Sequence, residues 1–434
     1  MNAQTKQFVL IILDGAGDVE RIEGRSPLEI ARTDGLDFLA REGICGLMQT
    51  LYEDLPKESI VAQLGMLGWA PHRYYPHGRS SFELLAIGGH RLETGDLAFR
   101  ANLVHMEGNR LLSYNAGLVQ SDLAIPLVNR INEGTAAEFP DFHLYHNSDF
   151  RNSLVISAAG IDPRQLVCLE PHEHEGWEFD LSRLIQGRDP QAAELAARCN
   201  LYLGRVRELF PPNSEANMLW PWSPSVAALL PPFMENTGFL GRVAVVGFMD
   251  FLQGISLAGG LEFFKLGNGR VDTDYAGKGR KTLELLESGY NFVVCHINAP
   301  DEASHMGQRD LKVQSIEEID KHIVQPIVSY FLRYPERLGA VMALPDHYTN
   351  SSPEWRLSTR SKAHSLHPVP IALWNGRDKD QTCFYGEDEA ARGTYSEPVS
   401  HLALLSLLGL SISSAPDESI STNTPALLDG STLS

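Results

Sequence analysis

The chain has 434 residues, 43% hydrophobic and 21% charged, and a net charge of −19 from 36 basic and 55 acidic side chains. That length exceeds what one hydrophobic core usually supports, so two domains are expected. The acidic balance disfavours nucleic acid and anionic membrane as partners but allows a small anion held by local cations. No apolar run reaches the roughly 20 residues that span a bilayer.

In chain order, the opening MNAQTKQ leads directly into FVLIIL, leaving no room for a signal peptide, and that run ends at Asp14. A Gly-rich turn, GAGD, precedes an amphipathic helical pattern interrupted near Thr33-Asp34-Gly35. A second helical stretch covers about residues 59–69 and closes at Ala70-Pro71; PHRYYPHGR reads as a loop and domain junction. From about residue 90 to 240 the texture changes. LETGDLAFRANLVHM and NSLVISAAG read as shorter, more alternating strands, and PPNSEANMLWPWSPS as a long irregular stretch. Strand–helix alternation returns with RVAVVGF, NFVVCHI, GAVMALP and PVPIALW, and the final Ser/Thr-rich twenty residues read as a loose tail. The expected architecture is α/β: a mostly parallel core of residues 1–89 and 241–434, interrupted by an inserted α+β domain at 90–240. Five scattered cysteines form no close pair, which fits reduced thiols in a cytoplasmic protein.

Three apolar runs end in acids: FVLIIL at Asp14, NFVVCHINAP at Asp301 and GAVMALP at Asp346-His347. Such runs suit strands buried on both faces of a parallel sheet, whose chemistry lies beyond their carboxyl ends. In DEASH, Asp301 and His305 are four apart, so on a helix they share one face and can grip one cation. Taken singly, each group has a plain structural explanation. Asp301 suits a helix start, Asp346-His347 an Asx-type turn, and His364 a structural histidine before a strand. Ser59 likewise suits an N-cap. Jointly, Asp14, Asp301, His305, Asp346, His347 and His364 fall at one sheet edge. Six Asp and His donors without thiolate suit two divalent ions, manganese or zinc, with magnesium a further option. Paired ions serve phosphoryl transfer. Ser59, at a helix N-terminus that welcomes phosphate, is the candidate nucleophile.

Several segments together resemble the archaeal-type, cofactor-independent phosphoglycerate mutases of the alkaline phosphatase superfamily. They are LDGAGD, SIVAQLGMLGWAP, GDLAFRANL, DTDYAGKG, APDEASHMG with SIEEID downstream, LPDH and KAHSLHPVP. The resemblance covers nearly the whole chain. It implies an alkaline-phosphatase-like three-layer core, with Ser59 carrying the phosphoryl group. It places Asp14, Ser59, Asp346 and His347 on one ion, and Asp301, His305 and His364 on the other. Arg100 and Asn102 in FRAN, Arg151 in FRNS and His172 in EPHE fall in segments expected to face substrate. The implied reaction exchanges 2- and 3-phosphoglycerate through a phosphoserine, without 2,3-bisphosphoglycerate, under an insert that closes against water.

Some positions depart from the family pattern. Ile60 stands where Asp is usual, Gln63 where Asn is usual, and Gln253 in FMDFLQG where Lys is usual; DHYTN replaces DHSTP. Glutamine offers hydrogen bonds but no charge. Two alternatives therefore stand beside the mutase. One is a related phosphomutase or phosphomonoesterase with another phosphorylated or phosphonate substrate. The other is a metal-binding protein without turnover. The sequence leaves the oligomeric state open.

Overall fold

A computed structural model describes residues 6–352 and 364–410. The expected C-terminal tail lies outside the described residues. In chain order the strands are β1 (Gln7–Leu13), β2 (Ile44–Gln49), β3 (Leu97–Glu107), β4 (Arg110–Ser113), β5 (Phe142–Ser148) and β6 (Arg151–Ile156). A short pair follows, β7 (Leu166–Val167) and β8 (Gln186–Gly187), then β9 (Met218–Ser225), β10 (Val243–Gly247) and β11 (Glu262–Lys265). The last four are β12 (Phe292–Ile297), β13 (Leu338–Leu344), β14 (Val369–Trp374) and β15 (Tyr395–Ser400).

The larger sheet has the order β11-β10-β12-β1-β13-β14-β2-β15. Its pairs are parallel from β11 to β13, whereas β14 runs antiparallel to both its neighbours. β1 shows why this sheet forms. Val9, Ile11 and Leu13 pack into the hydrophobic cluster on one face, and Leu10 and Ile12 into the cluster on the other. Period-2 side chains covered on both faces require an apolar run without polar alternation, which FVLIIL supplies. Helices cover both faces, giving three layers.

Register fixes the functional edge. Leu13 sits opposite Ile297 on β12, and Ile12 opposite Leu344 on β13. The three strands therefore end level, and the Asp14 N–H donates to the Ile297 carbonyl at 3.0 Å.

A second, antiparallel sheet joins β3 to β6, β5, β4 and β9, and a separate hydrophobic cluster drawn from Leu97 through Trp222 packs on it. Two readings of the sequence need correction here. The first strand of this region is not short, since β3 runs for eleven residues. WPWSPS is not irregular either, since β9 pairs with β3 from Met218 to Ser225. Its prolines are tolerated because β9 pairs on one side only, so a missing N–H can face away from the ladder. The two sheets meet at a few ties. Ser225 Oγ accepts the Ser81 N–H at 3.2 Å, and a small cluster of Leu84, Leu92, Ala98 and Val155 seals the junction.

Candidate active site

Ser59 opens the helix Ser59–Met66, with Glu58 in extended conformation at the capping position before it. Ser59 is thus the first helical residue rather than the cap. Its Oγ lies 2.9 Å from His347 Nε2. The same nitrogen lies 3.3 Å from Asp14 Oδ1 and 3.4 Å from Asp346 Oδ2. Asp346 is aimed by the Gly15 N–H, which donates to Oδ1 at 3.0 Å, and by Gln63 Nε2, which donates to Oδ2 at 3.1 Å.

Beside this group stands a second. Asp301 and His305 share a face of the helix Ala299–His305, with Asp301 Oδ2 3.2 Å from His305 Nε2. His364 Nε2 approaches Asp301 Oδ1 at 3.6 Å. The rings of His347 and His364 stack at 3.5 Å, so the two groups are contiguous. Thr349 links them: its hydroxyl donates to Asp301 Oδ1 at 2.7 Å and lies 3.1 Å from His347 Nδ1. With that hydroxyl proton committed to the carboxylate, Nδ1–H of His347 becomes the donor to Thr349, which leaves a lone pair on Nε2 facing Ser59 and the acids.

The two loops that carry these groups are fastened from below. Lys312 Nζ, fully buried, donates to Gly17 O and Asp18 Oδ2 at 3.0 Å each and to Thr349 O at 2.7 Å. All three ammonium protons are used, and they join the turn after β1 to the turn after β13.

The donors fit divalent cations. Burial raises the Asp14 carboxyl well above its usual range, reinforced by Asp346 and Asp301, and burial lifts Asp346 to about 6. Burial likewise presses His347 down to about 4 and His364 to about 3. Asp301 goes the other way: against its burial, the neighbouring His305, His364 and His347 hold it well below the usual carboxylate range, so without a cation the site pairs an ionised Asp301 with a raised Asp14 and with neutral His347 and His364. Among the described residues, Asp14 Oδ1 and both nitrogens of His364 have no hydrogen-bond partner although they are buried. Oxygen and imidazole donors left open around a buried point are what a divalent ion would complete.

A cavity of about 760 Å³ opens between this site and the insert. His305 and His364 of the site line it, together with Arg79, Arg100, Arg151 and His172. Asn102 does not reach it. Its amide donates to Tyr114 O at 3.1 Å and accepts from Trp222 Nε1 at 3.1 Å, so it braces two aromatic walls of the cavity. The departures are placed as follows. Ile60 is buried in a hydrophobic cluster. Gln253 donates to Ala86 O at 3.2 Å, spending its amide N–H on a neighbouring helix.

Several residues at the site were not singled out from the sequence. His296 on β12 lies 3.2 Å from Asp14 Oδ2 and completes a compact trio with Asp14 and Asp346. A histidine within an apolar strand is the one signal that pointed to it. Thr349 could have been suspected from its place two residues after His347. Arg79 and Lys312 carried no local signal, because long-range packing alone brings them in.

This is an α/β protein with an acid- and histidine-lined centre at the carboxyl edge of its parallel strands. A family model described as 2,3-bisphosphoglycerate-independent phosphoglycerate mutase matches residues 40–214. The chain is 31% identical over 389 residues to such a mutase from Methanosarcina mazei, covering 87% of this chain and 92% of that one. It is 32% identical over 404 residues to the mutase from Methanothrix thermoacetophila, covering 90% and 96%. A cofactor-independent phosphoglycerate mutase structure from Thermoplasma acidophilum superposes with a TM-score of 0.62 at 24% identity, over 93% of this chain and 99% of the other. A Pyrococcus horikoshii protein gives 0.72, also at 24% identity, over 95% and 99%. The chain belongs to the 2,3-bisphosphoglycerate-independent phosphoglycerate mutase family.

Proposed function

We propose that this chain is an isomerase that exchanges 2- and 3-phosphoglycerate through a phosphoserine at Ser59, without 2,3-bisphosphoglycerate. The observation that carries this is Ser59 Oγ at 2.9 Å from His347 Nε2, a nitrogen that also meets Asp14 and Asp346. Asp14, Ser59, Asp346 and His347 would hold one ion and Asp301, His305 and His364 the other. The all-oxygen-and-imidazole set leans to manganese or zinc. When bound, such ions lower the pKa of the serine hydroxyl and neutralise charge on the phosphoryl oxygens.

The steps balance within the substrate and the serine. The Ser59 Oγ–P bond forms as the substrate's O–P bond breaks, and the proton given up by the serine hydroxyl balances the one that the released glycerate oxygen takes. After the glycerate turns, its other hydroxyl attacks phosphorus, gives up a proton, and frees Ser59. Arg100, Arg151 and His172, which line the cavity, would hold the glycerate during that turn. The core, residues 1–89 and 241–434, supplies the chemistry, and the insert, 90–240, covers it. The protein acts on a small phosphorylated anion. Among the described residues no helix is long and apolar enough to cross a membrane, and all five cysteines are free thiols; a cytoplasmic setting is the reading these support.

The test supplies manganese and 2-phosphoglycerate, then follows 3-phosphoglycerate and free phosphate separately. Isomerisation without phosphate release is expected, and Ser59→Ala should lower it by at least about 10³-fold. Phosphate release alone, or inactivity towards both phosphoglycerates, overturns the proposal. The second reading is a related phosphomutase or phosphomonoesterase acting on a different phosphorylated or phosphonate small molecule, motivated by Ile60 and Gln253 at positions where the family pattern has Asp and Lys.

A further inference from the structure

The cavity beside the acid and histidine groups is lined by three guanidiniums, those of Arg79, Arg100 and Arg151. Arg100 and Arg151 come from the insert, on β3 and β6. Arg79 comes from the core, as the residue capping the helix Ser80–Gly88. Between Arg79 and Arg100 lies Glu83. Its Oε1 is 3.2 Å from Arg79 Nε, and its Oε2 is 3.3 Å from Arg100 Nε. Glu83 and Arg100 are each only 9% exposed, so this is a desolvated arrangement rather than a surface pair. Arg100 is further fixed by stacking on the Trp222 ring, its guanidinium carbon 4.3 Å from the centroid. Burial, with Arg79 and Arg151 nearby, presses Arg100 down to about 10.

The distances that join Glu83 to the two arginines run to the inner nitrogen, Nε, of each. Among the described residues, neither arginine's terminal nitrogens have a protein hydrogen-bond partner at the cavity. Paired terminal N–H groups are what bind a carboxylate or phosphate bidentately. Arg79 and Arg100 share the Glu83 carboxylate, and Glu58, Glu170, Glu173 and Glu302 also line the cavity, so the case for an anion rests on the open terminal N–H groups and not on net charge.

We propose that Glu83 is a positioning residue which sets Arg79 and Arg100 side by side as a clamp for the substrate's carboxylate, and that Arg79 is a binding residue contributed by the core. This rests on the function proposed above, in which the phosphoryl group faces Ser59. The carboxylate is then the part that must stay anchored while the two hydroxyls exchange places. Because one arginine belongs to the core and the other to the insert, the clamp is complete only when the insert lies against the core. Glu83 therefore ties substrate affinity to closure.

The experiment uses manganese-loaded full-length protein. Glu83→Gln and Arg79→Gln are expected to raise KM for 3-phosphoglycerate about tenfold, with kcat changed by less than about threefold, since uniform binding is what is lost. Glu83→Asp should recover part of the loss. Calorimetric binding of 3-phosphoglycerate in a Ser59→Ala background should weaken by the same factor. Glu83→Gln, which leaves Arg100 buried without its carboxylate, is expected to melt below the parent and Arg79→Gln close to it, so a rise in KM shared by both variants, and not the melting temperature, identifies the clamp. KM and affinity unchanged in both variants overturn the clamp. A second probe is independent of turnover: crystals of the parent soaked in sulfate. A sulfate bonded to Arg79 and Arg100 together, and lost in Glu83→Gln, supports the clamp even if the protein fails to isomerise phosphoglycerate. A parent cavity without sulfate at these two side chains overturns it.

Discussion

Thr349 shows how much of the site depends on atoms that touch no substrate. Its hydroxyl orients Asp301 and, by receiving Nδ1–H, leaves His347 Nε2 free to coordinate. Outer partners of this kind are worth about 10–100-fold in metal affinity. Thr349→Val should weaken manganese binding by that order in a titration, whereas Thr349→Ser, which keeps the hydroxyl, should bind nearly as the parent does. The acids make a second prediction. In the cation-free protein Asp14 is raised and Asp346 titrates near 6. A raised carboxyl favours folding below its unfolded pKa, and that contribution is lost as pH rises through the folded value. A cation needs both ionised, so manganese binding near pH 5.5 should release protons, and the release should shrink as pH approaches 8. Calorimetry in buffers of different ionisation enthalpy reads this directly. Equal proton release at both pH values would contradict the acid assignment.

At the scale of elements, the helices Ser80–Gly88 and Asp250–Ala258 pack with almost no separation. A Cβ on Gly254 would stand 2.0 Å from the Phe82 carbonyl oxygen. Gly254→Ala must push these helices apart, at a cost of at least about 1–3 kcal/mol. Because Glu83 follows Phe82 directly, the displaced helix also misaims Glu83. Both a lower melting temperature and a higher KM are expected, and a variant with an unchanged melting temperature would show the contact to be softer than drawn.

The same elements show what was readable beforehand. β1, β12 and β13 were evident because strands covered on both faces need apolar runs, and their terminal acids stood out against them. The pair Asp301 and His305 was legible because four-residue spacing has one meaning on a helix. β9 was not, since Pro221 and Pro224 oppose a strand locally and are tolerated only on an outer edge, which depends on β3. Arg79, Glu83 and Lys312 were invisible for a related reason. An exposed-looking charge in sequence becomes a buried hub only through partners far along the chain.

For the whole molecule, the centre is built from residues near both ends of the chain, Asp14 and Ser59 from one and Asp301 through His364 from the other. Such a site does not survive unfolding, so an ion that fills it binds the native state alone. At a concentration of 100 times its Kd, manganese should stabilise the protein by about 2.7 kcal/mol. A melting temperature that rises with manganese in the parent, and not in a Ser59-intact Asp14→Asn/Asp301→Asn variant, is the expected result.

The placement of β1 has a further consequence. It precedes both its neighbours, β12 and β13, by nearly 300 residues, with Phe8 facing Phe292 on one side and Ala340 on the other. At roughly 5–20 residues per second of synthesis, the strand waits on the order of 15–60 s for its nearest partner. Meanwhile the insert, with a hydrophobic cluster of its own, can already condense. Translation thus leaves the apolar strand β1 unpaired while the intervening residues are already available to condense. Shielding that strand until β12 emerges is a demand of synthesis that the stability of the finished fold does not record.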